Sequence, residues 1–154
     1  MNPESKMEIR KALAADAEAV IACARAAYAP YVERIGREPA PMIADFAAQI
    51  DRGIVFVAID ETKAVAGFVV FFPRGDGMHL ENVALSPACQ GRGLGKSLIG
   101  FVEDRARAAG LSSVELYTNE KMTENQVLYP RLGYREIERR TEDGFARIYY
   151  RKTV

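Results

Sequence analysis

The sequence predicts an α/β fold built on a mixed sheet. Runs of β-branched and aromatic residues alternate with stretches of helical apolar spacing along most of the chain. At two places adjacent strand runs are joined by short turn sequences, which puts antiparallel hairpins into the same sheet. No internal repeat, low-complexity tract or linker interrupts the 154 residues, so the reading is a single domain over 1–154.

The elements follow in order. "MEIRKA" reads as a short first strand, and a helix runs from Ala14 to about Tyr28, with Asp16 and Glu18 in its first turns, where acids suit the dipole. Val20, Ala24 and Tyr28 recur on one face of it. Pro30, Pro39 and Pro41 then break the chain, and a second helix is expected over Met42 to Ile50. "IVFVAID" and "AVAGFVVFF" form a hairpin about "DETK", and "MHLENVAL" is the next strand. Leu94, Leu98, Val102, Ala106 and Ala109 mark the buried face of a helix that Gly110 ends. "SSVELYT" is a strand. "TENQVLY" is a short helix opening with Thr123 and Gln126 at capping-box spacing. "YREIERR" and "ARIYYRK" close the chain as a hairpin turning at "TEDG".

Composition excludes several functions. Lys and Arg number 21 and Asp and Glu number 21, so no overall basic field attracts nucleic acid or an anionic membrane. No apolar run approaches the roughly 20 residues of a membrane span, and the start has no signal-peptide apolar core. Two cysteines and one histidine make neither a disulfide framework nor a zinc or histidine-rich site, so no metal is expected. The expectation is a cytoplasmic protein that binds neither nucleic acid nor membrane.

The stretch "SPACQGRGLGKSL" carries the strongest signal. It misses the NTPase phosphate loop because Gln90 stands where the first glycine belongs, and it misses the dinucleotide pattern because Lys96 stands where the third belongs. It is nonetheless a glycine-rich turn at a helix start, where free amides and the dipole favour phosphate. Gly91, Gly93 and Gly95 allow close approach of the backbone, and Arg92 and Lys96 add positive charge. By itself the turn signifies either a phosphate-bearing ligand or a tight bend with no ligand.

Together with a second block, the turn resembles the GNAT superfamily of acyl-CoA-dependent N-acetyltransferases. Gln90, Gly93 and Gly95 match the family signature [QR]-x-x-G-x-[GA], preceded by "VALSP" and followed later by "NQVLYPRLGY". The resemblance covers nearly the whole chain, since the order of strands and helices also fits. It implies a GNAT-type, mostly antiparallel twisted sheet of about six to seven strands flanked by about four helices, with acetyl-CoA as acyl donor. It also implies that residues from Gln90 to Lys96, Leu94 included, surround the pyrophosphate. Val83 and Leu85 would then offer main chain to the donor, and Asn125 would either lie near the pantetheine arm or be only a polar residue in the first turn of the short helix. Family members often form dimers, so a homodimer is possible.

Acetyl transfer requires a deprotonated amine, and an alkylammonium near pKa 10 leaves only about one molecule in a thousand nucleophilic at neutral pH. Glu81 is the candidate base, direct or through water: it stands in an apolar strand, on the alternation-defined face of His79, Val83 and Leu85, and partial desolvation makes a carboxylate a better base. The resemblance points to the same position, since spermidine/spermine-type members carry a proposed base there. A strand glutamate paired with lysine or arginine is the other reading. Tyr129 matches the family tyrosine whose hydroxyl lies near the thioester sulfur, within a block also met by Asn125, Gly133 and Tyr134. A phenol can hydrogen-bond or protonate a leaving thiolate. The family precedent also points to the Val83 N–H as the oxyanion donor. Pro130 either aims Tyr129 by bending its helix or merely ends that helix. Cys89 adjoins the turn but has no histidine nearby in sequence, which argues against a covalent intermediate; His79 either assists Glu81 or is structural.

In the family the first two helices wall the acceptor pocket, which puts Tyr28 and Tyr31 there, beside Glu33, Arg34, Arg37 and Glu38. The mixed charges suit an amino acid as well as a polyamine. "YTNEKMTEN" sets Asn119 further from the following helix than in ribosomal-protein-type members, which argues against a protein N-terminus. A small-molecule primary amine is therefore expected, with a peptide amine or a non-catalytic acyl-CoA-binding module as alternatives.

Overall fold

The computed structural model describes residues 7–154. Seven strands form one sheet: β1 Glu8–Lys11, β2 Val55–Ile59, β3 Val65–Arg74, β4 Gly77–Leu85, β5 Ser113–Asn119, β6 Arg135–Glu142 and β7 Phe145–Thr153. Their order is β1-β2-β3-β4-β5-β7-β6, antiparallel throughout except for β4 beside β5. Four helices flank it: α1 Ala17–Ile35, α2 Phe46–Asp51, α3 Leu94–Ala108 and α4 Thr123–Arg131. The mixed, mostly antiparallel sheet expected from the sequence is the one found.

Each face of the sheet buries its own core. Val20, Cys23, Ala24 and Ala27 of α1 and Phe46 and Ile50 of α2 pack on Val55, Val57, Phe68 and Val70. On the other face Leu98, Ile99, Val102 and Ala106 of α3, with Tyr129 of α4, pack on Phe56, Val69, Leu80, Leu116 and Ile148. Every residue of β2 is buried, which is why "VFVAI" reads as a continuous apolar run. Each fully buried Val, Leu or Phe on these faces contributes about 1.5–3 kcal/mol relative to exposure.

Local rules fail in four places, each with a reason. The first helix continues through Pro30 to Ile35 and stops at Gly36, which has φ 93°. Pro30 and Ala26, whose carbonyl its ring crowds, are both exposed, so that carbonyl can tilt out to water while the inner face stays packed. The second helix begins only at Phe46, because Asp45 caps it by accepting from the Ala48 N–H at 3.1 Å. The expected capping box on α4 does not form: Thr123 is already helical, and Gln126 donates instead to the Glu120 carbonyl at 2.8 Å. Pro130 sits one residue before the end of α4, and the chain leaves through Gly133 at φ 96°. The closing hairpin turns at Asp143 and Gly144, both at positive φ, as a two-residue Asp-Gly turn requires.

Two irregularities in β4 create the site. Val70 lies opposite Asn82 but Phe71 lies opposite Leu80, so Glu81 is an extra, bulged residue. The bulge reverses the alternation: Met78 and Leu80 before it, and Val83 and Leu85 after it, all face α3. The single face expected for His79, Glu81, Val83 and Leu85 is therefore corrected. His79 and Glu81 lie together, and Val83 and Leu85 point through the other side. In addition, β4 pairs with β5 only from Met78 to Leu80, opposite Val114 to Leu116. Beyond that the two strands part, and a gap opens in the middle of the sheet.

Candidate active site

A cavity of about 510 Å³ fills this gap. One end is bounded by Gln90, Gly91, Gly93, Gly95 and Lys96, the other by Glu81, Tyr117, Phe145 and Arg147. Tyr28, Tyr31, Val83, Leu85, Asn125 and Tyr129 also line it. Among the residues expected from sequence to hold the donor, Arg92 and Leu94 are not on its wall. Arg92 turns to donate to the Ala88 carbonyl at 2.8 Å, and Leu94 packs with Ala66 and Cys89, leaving at most its amide for a ligand. Cys89 is buried in that same small core, away from the cavity.

The parted strands expose main chain in a defined pattern. The Ser86 N–H donates to the Ala66 carbonyl at 2.8 Å, so Ser86, Ala84 and Asn82 are the residues bonded to β3. Val83 and Leu85 alternate with them, and their N–H and C=O groups point to the open edge. Two side chains reach those carbonyls from the gap: the Tyr28 hydroxyl, whose proton goes chiefly to Asn82 Oδ1, lies 3.3 Å from the Val83 carbonyl, and the Gln90 amide donates to Leu85 at 3.2 Å. The N–H of Val83 therefore faces the cavity.

At the glycine end, Gly91 and Gly93 hold φ 81° and 78°, a left-handed conformation that brings the chain into α3. Ser97 is the first α3 amide to bond back, to the Gly93 carbonyl at 3.2 Å, and the amides of residues 91–96 have no backbone acceptor among the described residues. A helix start with free amides fits a phosphate.

At the opposite end Glu81 is held from two sides. His79 Nε2 lies 2.5 Å from Glu81 Oε2, and the Tyr117 hydroxyl donates to Glu81 Oε1 at 3.4 Å. The glutamate side chain is 34% exposed whereas His79 is 3% exposed, packed between Phe72 and Tyr117. The carboxylate thus sits in a polar clamp open to the cavity, not in the apolar surroundings that the strand sequence suggested. Burial, with the nearby Glu81 charge, pushes the Tyr117 phenol well above its usual range.

Tyr129 is 4% exposed, its ring packed near Tyr134 and Tyr150. Its hydroxyl makes no hydrogen bond among the described residues and is not sealed from the cavity. Burial raises this phenol's pKa above the ordinary value, so it stays an O–H donor. Asn125 donates to Thr118 Oγ1 at 3.0 Å and fastens α4 to the end of β5.

Sequence reasoning missed Asn82, Tyr117, Glu124 and Arg147. Asn82 ties Tyr28, at 2.7 Å, and the Pro41 carbonyl, at 2.9 Å, to β4. Glu124 is bound by Arg34 at 2.6 Å and by the Tyr31 hydroxyl at 3.4 Å, and the guanidinium holds its carboxyl down to about 2. A polar residue in an otherwise apolar strand was the available signal for Asn82; for Arg147 the strand pattern carried none.

The fold is similar to that of the PaiA N-acetyltransferase of Thermoplasma acidophilum, solved in complex with coenzyme A, with a TM-score of 0.79 and 17% identity over 96% of this chain and 99% of that one. It is similar too to the ribosomal-protein-S18-alanine N-acetyltransferase of Escherichia coli, with a TM-score of 0.72 and 20% identity over 96% and 94% of the two chains. At the sequence level, 84 residues, or 51% of this chain, are 36% identical to the mycothiol acetyltransferase of Renibacterium salmoninarum. That stretch spans only 25% of the relative's length. The model of the Acetyltransferase (GNAT) family matches residues 17–134, a span that contains the glycine turn, the bulged strand and Tyr129. On that match the chain belongs to the Acetyltransferase (GNAT) family.

Proposed function

We propose that the protein transfers an acetyl group from acetyl-CoA to the primary amine of a small molecule by direct attack in a ternary complex. The observation that carries this reading is the single cavity that joins free helix-start amides at one end to a clamped carboxylate at the other, with an unpartnered tyrosine hydroxyl on its wall. The amides of residues 91–96 hold the pyrophosphate, with Lys96 adding charge, and the open edge of Val83 and Leu85 aligns the pantetheine and thioester. Glu81 takes the proton from the attacking ammonium, directly or through water, while His79 and Tyr117 fix its carboxylate. The Val83 N–H faces the carbonyl oxygen as it gains charge.

Tyr129 donates a hydrogen bond to the departing sulfur. An alkyl thiol titrates at about 8.5, below a phenol even at its ordinary value of about 10, so complete proton transfer from Tyr129 runs uphill. The phenol therefore acts by stabilising the thiolate, and the proton shed by the amine balances it in the end. In this reading residues 1–154 act as one domain in the cytoplasm, where acetyl-CoA is available. The test is acetyl-CoA consumption across amino acids, polyamines, aminoglycosides and peptides. Turnover confined to peptide N-termini would replace the small-molecule assignment, and binding without turnover on any amine would leave a binding module.

The donor end has its own test. Gly95→Val places a branched side chain on the cavity wall, and a Cβ there would meet only Leu85 Cδ1 at 3.5 Å, an ordinary contact. The fold is expected to survive while CoA binding weakens at least tenfold, about 1.4 kcal/mol, by calorimetry. Position 95 is preferable to Gly93, where φ of 78° would add backbone strain to any side chain. Unchanged affinity in folded Gly95→Val would move the phosphate site elsewhere.

A further inference from the structure

The acceptor end of the cavity contains a cation that the reaction as described does not use. Arg147, on β7, lines the cavity with its side chain 12% exposed. Its guanidinium lies over the Tyr117 ring, 4.5 Å from the centroid, and the Tyr117 hydroxyl reaches Glu81. A carboxylate at its hydroxyl and a fixed positive charge over its ring face are thus brought together by one phenol.

The surrounding charges leave that cation available. Among the described residues its one ion-pair carboxylate is Glu142, at 3.6 Å, beyond good hydrogen-bond distance, and the Tyr149 hydroxyl also neighbours it, so its fork is only partly engaged. Glu142 is already engaged by Arg140 at 3.2 Å and by the Tyr149 hydroxyl. Arg37 stacks on Phe145 at 3.6 Å and donates to the Asp143 carbonyl, so a second guanidinium stands beside the same mouth. On the acidic side, Glu124 is neutralised by Arg34, which leaves Glu81 as the carboxylate able to meet an ammonium. A polyamine would place its second cation against Arg147. An acceptor with an anion beside its amine would satisfy both ends.

Resting on the acetyltransferase reading above, we infer that the acceptor is an amine bearing a carboxylate, of the amino-acid class, with its amine at Glu81 and its carboxylate on the Arg147 fork. A half-buried, partly engaged guanidinium can match a carboxylate with two parallel hydrogen bonds, and its place over the Tyr117 ring restricts where it does so.

Matched pairs test this. Acetyl-CoA consumption is measured with the proteinogenic amino acids beside their amides, with ω-amino acids from β-alanine to 6-aminohexanoate beside the corresponding alkylamines, and with spermidine and O-phosphoethanolamine. The best carboxylate acceptor is expected to exceed its uncharged partner at least a hundredfold in kcat/KM. Arg147→Met should collapse that ratio to near one, acting through KM of the carboxylate member, and Arg147→Lys should restore part of it. Calorimetry with CoA on each variant reports whether its fold and donor site are intact. The inference is overturned if spermidine, phosphoethanolamine or the uncharged partners are preferred, if no carboxylate-bearing amine is acetylated, or if Arg147→Met lowers both members of a pair equally. Failure of CoA to bind the unmodified protein would instead overturn the acetyltransferase reading.

Discussion

Tyr129→Phe is expected to lower kcat by tens- to a thousandfold at saturating acetyl-CoA, an increase of roughly 2–4 kcal/mol in the barrier. The substitution removes one oxygen and keeps the ring that packs near Tyr134 and Tyr150. Because the hydroxyl faces the cavity and has no hydrogen-bond partner among the described residues, its loss is expected to leave the melting temperature nearly unchanged. A structural hydroxyl would behave in the opposite way, costing about 1 kcal/mol of stability with little change in turnover. Steady-state kinetics beside a thermal melt separate the two. A normal kcat with a lowered melting temperature would end the case for Tyr129 at the leaving group.

Glu81→Gln is expected to reduce kcat on the order of a hundredfold, with CoA affinity nearly intact. Glutamine fills the same volume, and its amide oxygen can accept from His79 Nε2 while its NH2 donates to the Tyr117 hydroxyl oxygen, so the side chain stays held from both sides. What is lost is the capacity to take a proton from the attacking amine. If kcat and its pH profile stay at wild-type values, bulk water or another group is the base.

The glycine-turn end of the cavity was largely legible in the sequence, and the end at Arg147 was not. Gln90 to Lys96 are consecutive, and their chemistry depends on local backbone conformation that glycines and a helix start encode within a few residues. Tyr129 was legible because its block matched a family pattern, although only the packed structure leaves its hydroxyl unpartnered at the cavity. The surroundings of Glu81 were misjudged. Strict alternation along β4 placed it in an apolar row with Val83 and Leu85, whereas the bulge turns it toward His79 and Tyr117. Arg147 escaped notice because its surroundings come from β4, β5 and the final hairpin, segments separated by up to half the chain.

By itself, then, the sequence determined the strand and helix order, the mixed sheet and the phosphate-suited turn, because apolar periodicity and turn residues act between near neighbours. It did not determine that α1 would run through Pro30, that the β4 register would slip at Glu81, or that β4 and β5 would part after Leu80. Those outcomes depend on which side chains from distant segments pack on each sheet face, and a one-residue change of register exchanges the faces. The separation of the two strands sets the open edge at Val83, the clamp on Glu81 and the approach to Arg147, because each is made only when residues far apart in the chain meet across the sheet.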